Sequence, residues 1–326
     1  MSTAVTRYFD HAVMPVIRKQ FPEAVPEMSL MILGSVGLGI DDPLSDLEAA
    51  VYLPDDRWKA YGGQLQLSLN GLLARTNPWK QEGSVISVLP VSWLLDGKAQ
   101  AFLEGSGDLP WESVSFESLF TVQYNRIVHD PQGILHRLRS ATAPSLYPEP
   151  LWKKSILRAL QQLIAEDYAE LRSCVLRERL AEAHLIYGRV IEGLFRLGFA
   201  VFHRYYPWRT HLRWAFGELP DEAAGFTSAL DELAASERWN ERVEIIAGLI
   251  TSYKAFITGH MLLPEVNLYS GNPGEELLWA ERLSAWEHPQ WRNWIDDCSR
   301  KAVQNGYSAE QFWVWSLWGW NKEADQ

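Results

Sequence analysis

Cysteine is scarce in this chain: Cys174 and Cys298 are the only two among 326 residues, and they lie far apart. That excludes a disulfide framework and a cysteine-built zinc site, and it points to a reducing, cytoplasmic setting. Basic residues are outnumbered, 30 Lys and Arg against 41 Asp and Glu, for a formal net charge of -11. Such a surface repels a phosphate backbone unless its cations are strongly clustered, so no nucleic-acid partner is expected. Long apolar runs are missing as well. No window approaches the roughly eighteen uninterrupted apolar residues of a membrane span, so no membrane partner is expected. The opening stretch MSTAVTRYFDHAVMPVIRKQF is charged throughout and has no apolar run ending in a small-residue cleavage site, so no signal peptide is expected. The eight histidines form no H-E-x-x-H pattern, which leaves zinc without support. A G-x-x-x-x-G-K-[ST] run is absent, and Ile40-Asp41-Asp42 follows Gly37-Leu38-Gly39 where a dinucleotide fingerprint needs its third glycine. Neither a P-loop nor a Rossmann site is supported.

What the chain does have is apolar material, 47% of its residues, enough for one large core or two smaller ones. Tryptophan is abundant: sixteen in all, eight of them from Trp279 onward. Large aromatics of this kind fill a helical core or form a homodimer contact. The patterning changes near residue 145. Before it, short apolar runs at 29–33, 47–53, 85–95 and 114–124 are bounded by turn residues, a strand-and-helix rhythm in which the last run fits either element. Residues 6–21 place Phe9, Val13, Val16 and Ile17 on one helical face, with Pro15 as an expected kink. After the proline-rich segment ATAPSLYPEPLW, apolar residues recur at spacings of three and four through 151–173, 176–204, 221–236, 240–259, 275–286 and 308–318. The expected organisation is an α/β head over 1–145 and a helical domain over 146–326.

The chemistry is concentrated in MILGSVGLGIDDPLSDLEAAVYL, from Met31 to Leu53. An apolar strand runs into Gly34-Ser35, a glycine-rich turn follows, and Ser45-Asp46-Leu47-Glu48 opens a second strand. Residues two apart in a strand share a face, so Asp46 and Glu48 are expected to point together while Leu47, Ala49, Val51 and Leu53 pack on helices. Two adjacent carboxylates repel each other unless a cation lies between them, and magnesium prefers such oxygen ligands. The Gly34-Ser35 turn offers unobstructed backbone N–H groups to an anion. The same residues also fit an ordinary hairpin with two solvated acids.

Strand, Gly-Ser, about ten residues, then acid-apolar-acid-apolar resembles the DNA polymerase β-like nucleotidyltransferase superfamily. YFDHAVMPVIRKQFPEAVPEM, RIVHDPQGILHRLR and HRYYPWRTHLRWAFGELP extend the likeness to bacterial proteins that join this head to a helical domain of unknown function. Aminoglycoside adenylyltransferases are more distantly similar. The resemblance implies an α+β fold, with a mixed sheet and flanking helices in the head and an all-α bundle behind it. It implies transfer of a nucleoside monophosphate, AMP in the first instance, from ATP or another nucleoside triphosphate to an acceptor hydroxyl, with release of pyrophosphate. By motif position Gly34 and Ser35 would hold the triphosphate, Asp46 and Glu48 would bind magnesium and carry catalysis, and Ser45 would brace the turn. The acceptor would be a small polar molecule, and the net acidity leans towards a cationic one; a protein side chain is the alternative acceptor.

Two departures stand out. Glu48 takes the place of the more usual aspartate. The third carboxylate that active members carry on a neighbouring strand has no counterpart in Val85–Leu95, which leaves Glu82, Asp96, Glu117 and Asp130 as candidates, or a catalytically silent nucleotide-binding or interaction module. The basic, aromatic segment from His203 to Trp214 offers Arg204, Arg209 and Arg213 to a triphosphate and tryptophan to a base. The family's Lys-Trp is replaced there by Thr210-His211. Glu166, Asp167 and Glu170 form either a solvated helix face or an acidic wall for an acceptor, as do Glu178 and Glu182.

Overall fold

The computed structural model describes residues 2–79 and 83–260. The helices expected at 275–286 and 308–318, the homodimer contact expected of the Trp-rich end, and Glu82 all lie outside the described residues. The chain divides into two compact units, Met1–Tyr147 with Tyr205–His211, and Pro148–Arg204 with Leu212–Gln326. The short segment Tyr205–His211 thus belongs with the head although it is embedded in the helical half of the sequence.

The first unit is built on four strands: β1 (Ser29–Leu33), β2 (Glu48–Leu53), β3 (Val85–Pro90) and β4 (Arg126–His129). Their spatial order is β3-β2-β1-β4. β1 runs antiparallel to β2 and β4, while β2 and β3 are parallel, so the sheet is mixed. β1 reads SLMIL because it is central and covered on both faces, which favours a continuous apolar run. One face of the sheet presents Leu30, Ile32, Ala49, Val51, Leu53, Ile86 and Val88 to a helical layer. That layer comprises residues 2–20 and the Gly63–Thr76 helix, contributing Phe9, Val13, Ile17, Leu65, Leu69 and Leu72 among others. The expected bend at Pro15 takes the form of a π-helical turn over Phe9–Val13, after which the proline opens the Met14–Gln20 segment, where its missing N–H costs little.

One open reading is decided and two local expectations are corrected. The run 114–124 is a helix, Phe116–Tyr124, because Ser115 caps it by accepting from the Ser118 N–H and Phe116, Leu119 and Phe120 share its buried face. The glycine-rich turn is a short helix, Gly34–Leu38, entered at Gly34 with φ 59° and left at Gly39 with φ 77°, conformations that suit a residue without a Cβ. β2 begins at Glu48, leaving Asp46 in the connection before it.

The second unit is helical throughout its described length: Glu149–Gln161, a π-helical stretch Gln162–Tyr168, Ala169–Leu176, Leu180–Val201, Leu212–Gly217, Ala224–Ala235 and Trp239–Gly259. Asp167 departs from the expected acidic face. It is buried and faces Arg189 at 2.9 Å, while Glu170 meets the same guanidinium at 3.0 Å. Among the described residues no helix is long and apolar enough to cross a membrane.

Candidate functional site

The β1–β2 register pairs Leu33 with Glu48, so the end of one strand and the start of the next lie side by side at one end of the sheet. Leu47, Ala49, Val51 and Leu53 face the helical core, and strand alternation therefore turns Glu48 to the opposite face, as the sequence pattern implied. Gly34 is the neighbour of that carboxylate. A Cβ there would fall on Glu48 Oε2, and a Cβ at Gly83 would fall on Asp46 Oδ2. Each acid thus packs against a glycine, and a Cβ at either place would displace the carboxylate. Burial pushes the Glu48 pKa up and the nearby Asp46 charge adds to it, with no offsetting cation on Glu48 among the described residues. Two carboxylates placed so close together suit a hard cation.

Glu48 and Gly34 line a cleft of about 440 Å³ contained within the first unit, in the size range of small-ligand sites. Val85 and Ser87 of β3, which stand beside Glu48 and Ala50 in the parallel register, share its wall. Phe120 and Thr121 of the Phe116–Tyr124 helix and the following Asn125 form a second wall, where Asn125 Oδ1 is buried without a hydrogen-bond partner among the described residues. Pro207, Trp208, Thr210 and His211 complete it. Burial holds the His211 imidazole below its ordinary pKa, hence neutral near pH 7.

The other residues singled out by sequence fall in several places. Ser35 follows Gly34 in the short helix and is not among the cleft-lining residues. Ser45 accepts from the Asp42 N–H at 2.9 Å and donates to Asp42 Oδ1 at 3.1 Å, closing the turn that delivers Asp46. Arg209 is exposed in the Tyr205–His211 strap and does not line the cleft. Arg204 belongs to the second unit and donates to the His203 carbonyl. Arg213, also there, is held by Asp231 through two contacts of 2.6 Å. Thr210, His211 and Trp208, rather than the arginines of the same segment, are the residues it brings to the cleft.

Two candidates for the third carboxylate are committed elsewhere. Asp130 has a side chain only 1% exposed and accepts from Ser29 Oγ at 2.7 Å, the His136 N–H at 2.9 Å and His136 Nδ1 at 2.7 Å. Ser29 begins β1 and Gly34 follows its end, so Asp130 marks the far end of the strand from the Asp46–Glu48 pair. Asp96 accepts from the Ser115 N–H and Ser118 Oγ, tying a loop to the start of the Phe116–Tyr124 helix. Glu117 lies one turn before the cleft-lining Thr121. Among the described residues no group of three or more His, Cys, Asp or Glu forms a metal-holding cluster.

Comparison with known proteins gives the following. Residues 111–215 match a family model described as a domain of unknown function (DUF4037), a stretch that includes Thr121, Asn125 and the Tyr205–His211 strap. The crystal structure of a nucleotidyltransferase-like protein from Exiguobacterium sibiricum 255-15 is similar at 12% identity and a TM-score of 0.38, covering 90% of this chain and 92% of that one. No curated protein matches.

Proposed function

We propose that this chain is a magnesium-dependent nucleotidyltransferase, moving a nucleoside monophosphate, AMP in the first instance, from a nucleoside triphosphate to a hydroxyl of a small polar acceptor. The observation that carries the reading is the Asp46–Glu48 pair, which has no offsetting cation on Glu48 among the described residues and whose Glu48 stands beside Gly34 at a cleft of about 440 Å³. Water could solvate two such acids on an open hairpin; here Glu48 is half-buried, and burial with no counter-charge among the described residues is a cost that a ligand cation removes.

The donor set fits magnesium, which is bound through one or two carboxylates and completes its shell with water and phosphate oxygens. Asp46 and Glu48 would hold it, and when bound it would offset phosphate charge and acidify an acceptor hydroxyl. Gly34 leaves room for the Glu48 carboxylate against the backbone, and the Ser35 backbone and hydroxyl follow it in the chain. Ser45 keeps the 42–45 turn closed so that Asp46 meets Glu48 at a fixed place. His211, neutral through burial, is able to accept a proton within the cleft. The excess of acid over base in the chain favours a cationic acceptor.

A second reading has its own observation. The β3 positions beside Glu48 and Ala50 are Val85 and Ser87, so β3 offers no further carboxylate there. That favours a head that binds nucleotide without transferring it.

Thermal stabilisation by each nucleoside triphosphate, with and without magnesium, tests the first reading. A ligand present at a hundred times its dissociation constant adds about 2.7 kcal/mol. The expected result is a magnesium-dependent rise in Tm that disappears in the Asp46→Asn, Glu48→Gln double variant. No stabilisation of the wild type by any triphosphate would remove the proposal. Stabilisation without pyrophosphate release across a panel of hydroxyl acceptors would select the second reading.

A further inference from the structure

Trp208 is 66% exposed, an unusual state for the largest side chain, and it sits in a segment whose neighbours are fixed. Tyr205 is buried and donates its hydroxyl to the Thr142 carbonyl at 3.0 Å. The Tyr206 ring packs against Phe116 with centroids 5.2 Å apart, and Pro207 is buried. Among the described residues the Trp208 ring meets no other ring and its indole N–H finds no acceptor. The fold therefore anchors the backbone leading up to this side chain and makes no use of the ring. It lines the same cleft as Glu48 and Gly34. So does Val85, the residue in register with Glu48, itself 39% exposed. One cleft thus combines the Glu48 carboxylate, whose partner Asp46 lies outside its lining, with two bare apolar surfaces suited to a flat ring.

From this juxtaposition we infer that Trp208 is the stacking platform for the base of a nucleoside triphosphate, with Val85 lining the same apolar part of the cleft. The inference rests on the nucleotidyl-transfer reading and adds to it the place where the base is held. Every nucleobase has a π-face, so a single indole accepts all of them and discriminates by stacking area, purines ahead of pyrimidines. Thr210 and His211, on the same strap, also line the cleft and carry polar atoms able to partner the edge of a base or a ribose hydroxyl.

The test uses full-length protein and two probes: MgATP, and magnesium tripolyphosphate, which has the phosphates and no base. Dissociation constants are measured calorimetrically for wild type, Trp208→Ala and Trp208→Phe, with the Tm of each variant confirming that it folds. Stacking of one base on an aromatic ring corresponds to roughly tenfold in affinity or more. Trp208→Ala should weaken MgATP by that factor and leave tripolyphosphate within about twofold, and Trp208→Phe should recover most of the loss. Purine triphosphates should lose more than pyrimidine ones. If wild type binds tripolyphosphate and MgATP but Trp208→Ala changes neither, or weakens both equally, the platform is wrong while the transfer reading stands. If wild type binds neither probe, the transfer reading fails and takes the platform with it.

Discussion

At the scale of single residues, Glu48 carries the sharpest linkage. Burial and the Asp46 charge raise its pKa in the folded protein. A carboxyl raised above its unfolded value, near 4.3, contributes stability that is present below that pH and lost as pH rises through the folded-state pKa. At neutral pH the ionised Glu48 therefore works against the fold until a cation arrives. Glu48→Gln should raise the Tm of the metal-free protein and abolish its magnesium-nucleotide shift, opposite changes that a merely structural glutamate would not give. Gly34→Ala should lose on both counts: φ 59° costs a Cβ-bearing residue about 1–2 kcal/mol, and the new methyl falls on the Glu48 carboxylate. Asp130 supplies the contrast. Burial pushes its pKa up, but the hydrogen bonds from Ser29 and His136 outweigh that and hold it below the usual range. Asp130→Ala should cost about 1–3 kcal/mol by leaving those donors unmatched, with the magnesium-nucleotide shift retained. From sequence alone Asp130 was as good a candidate acid as any, because only the β1–β4 pairing shows which end of the sheet it occupies.

At the scale of elements, β3 is an edge strand, and a side chain closes part of its open ladder. Gln66, on the Gly63–Thr76 helix, donates Nε2 to the Ile86 carbonyl at 2.8 Å and accepts from the Val88 N–H at 2.7 Å; Trp58 Nε1 donates to the Val88 carbonyl at 3.0 Å. Gln66 thus imitates a neighbouring strand and shields the edge from another chain. Gln66→Ala should lower stability by about 1–3 kcal/mol, read as a shifted urea midpoint, and increase aggregation near the transition. Legibility in the sequence divides along the same line between local and distant contacts. β1, the Asp46–Glu48 pattern and the long helices rest on spacing, which a sequence displays. The run 114–124 was ambiguous because VSFESLFTVQY satisfies both periods, and the Ser115 cap decides between them. The cleft wall from Pro207 to His211 was the least legible part. Its arginines are conspicuous in sequence, but the anchoring of Tyr205 on Thr142 and Tyr206 on Phe116, which selects the residues that reach the cleft, depends on contacts far along the chain.

At the scale of the whole molecule, acidification acts, among the described residues, through a partly buried histidine in each unit. Burial lowers the pKa of His211 in the first unit. Burial does the same for His203 in the second, where its ring stacks on Trp152 at 5.0 Å; Arg204 and Lys153 add to the lowering and Glu149 opposes it. A histidine whose folded-state pKa is depressed contributes stability that is present above the unfolded value, near 6.5, and lost as pH falls below it. Asp96, Asp130 and Asp231, all lowered by hydrogen bonds that outweigh burial where burial is the larger single effect, or by the Arg213 pair in the case of Asp231, lose their share only below about pH 4. Acid unfolding should therefore begin with the histidines. Two changes pull the other way: Glu48 gains on protonation, and the formal net charge of -11 relaxes as pH falls. Comparison with a variant removes both, because they are common to the two proteins. Between pH 7.5 and 5, a range chosen to bracket the unfolded histidine pKa near 6.5, the Tm of wild type should fall relative to that of the His203→Gln, His211→Gln double variant. Parallel curves across that range would show that neither partly buried imidazole couples proton uptake to unfolding, whereas a gap that narrows in only one single variant would assign the effect to that variant's unit.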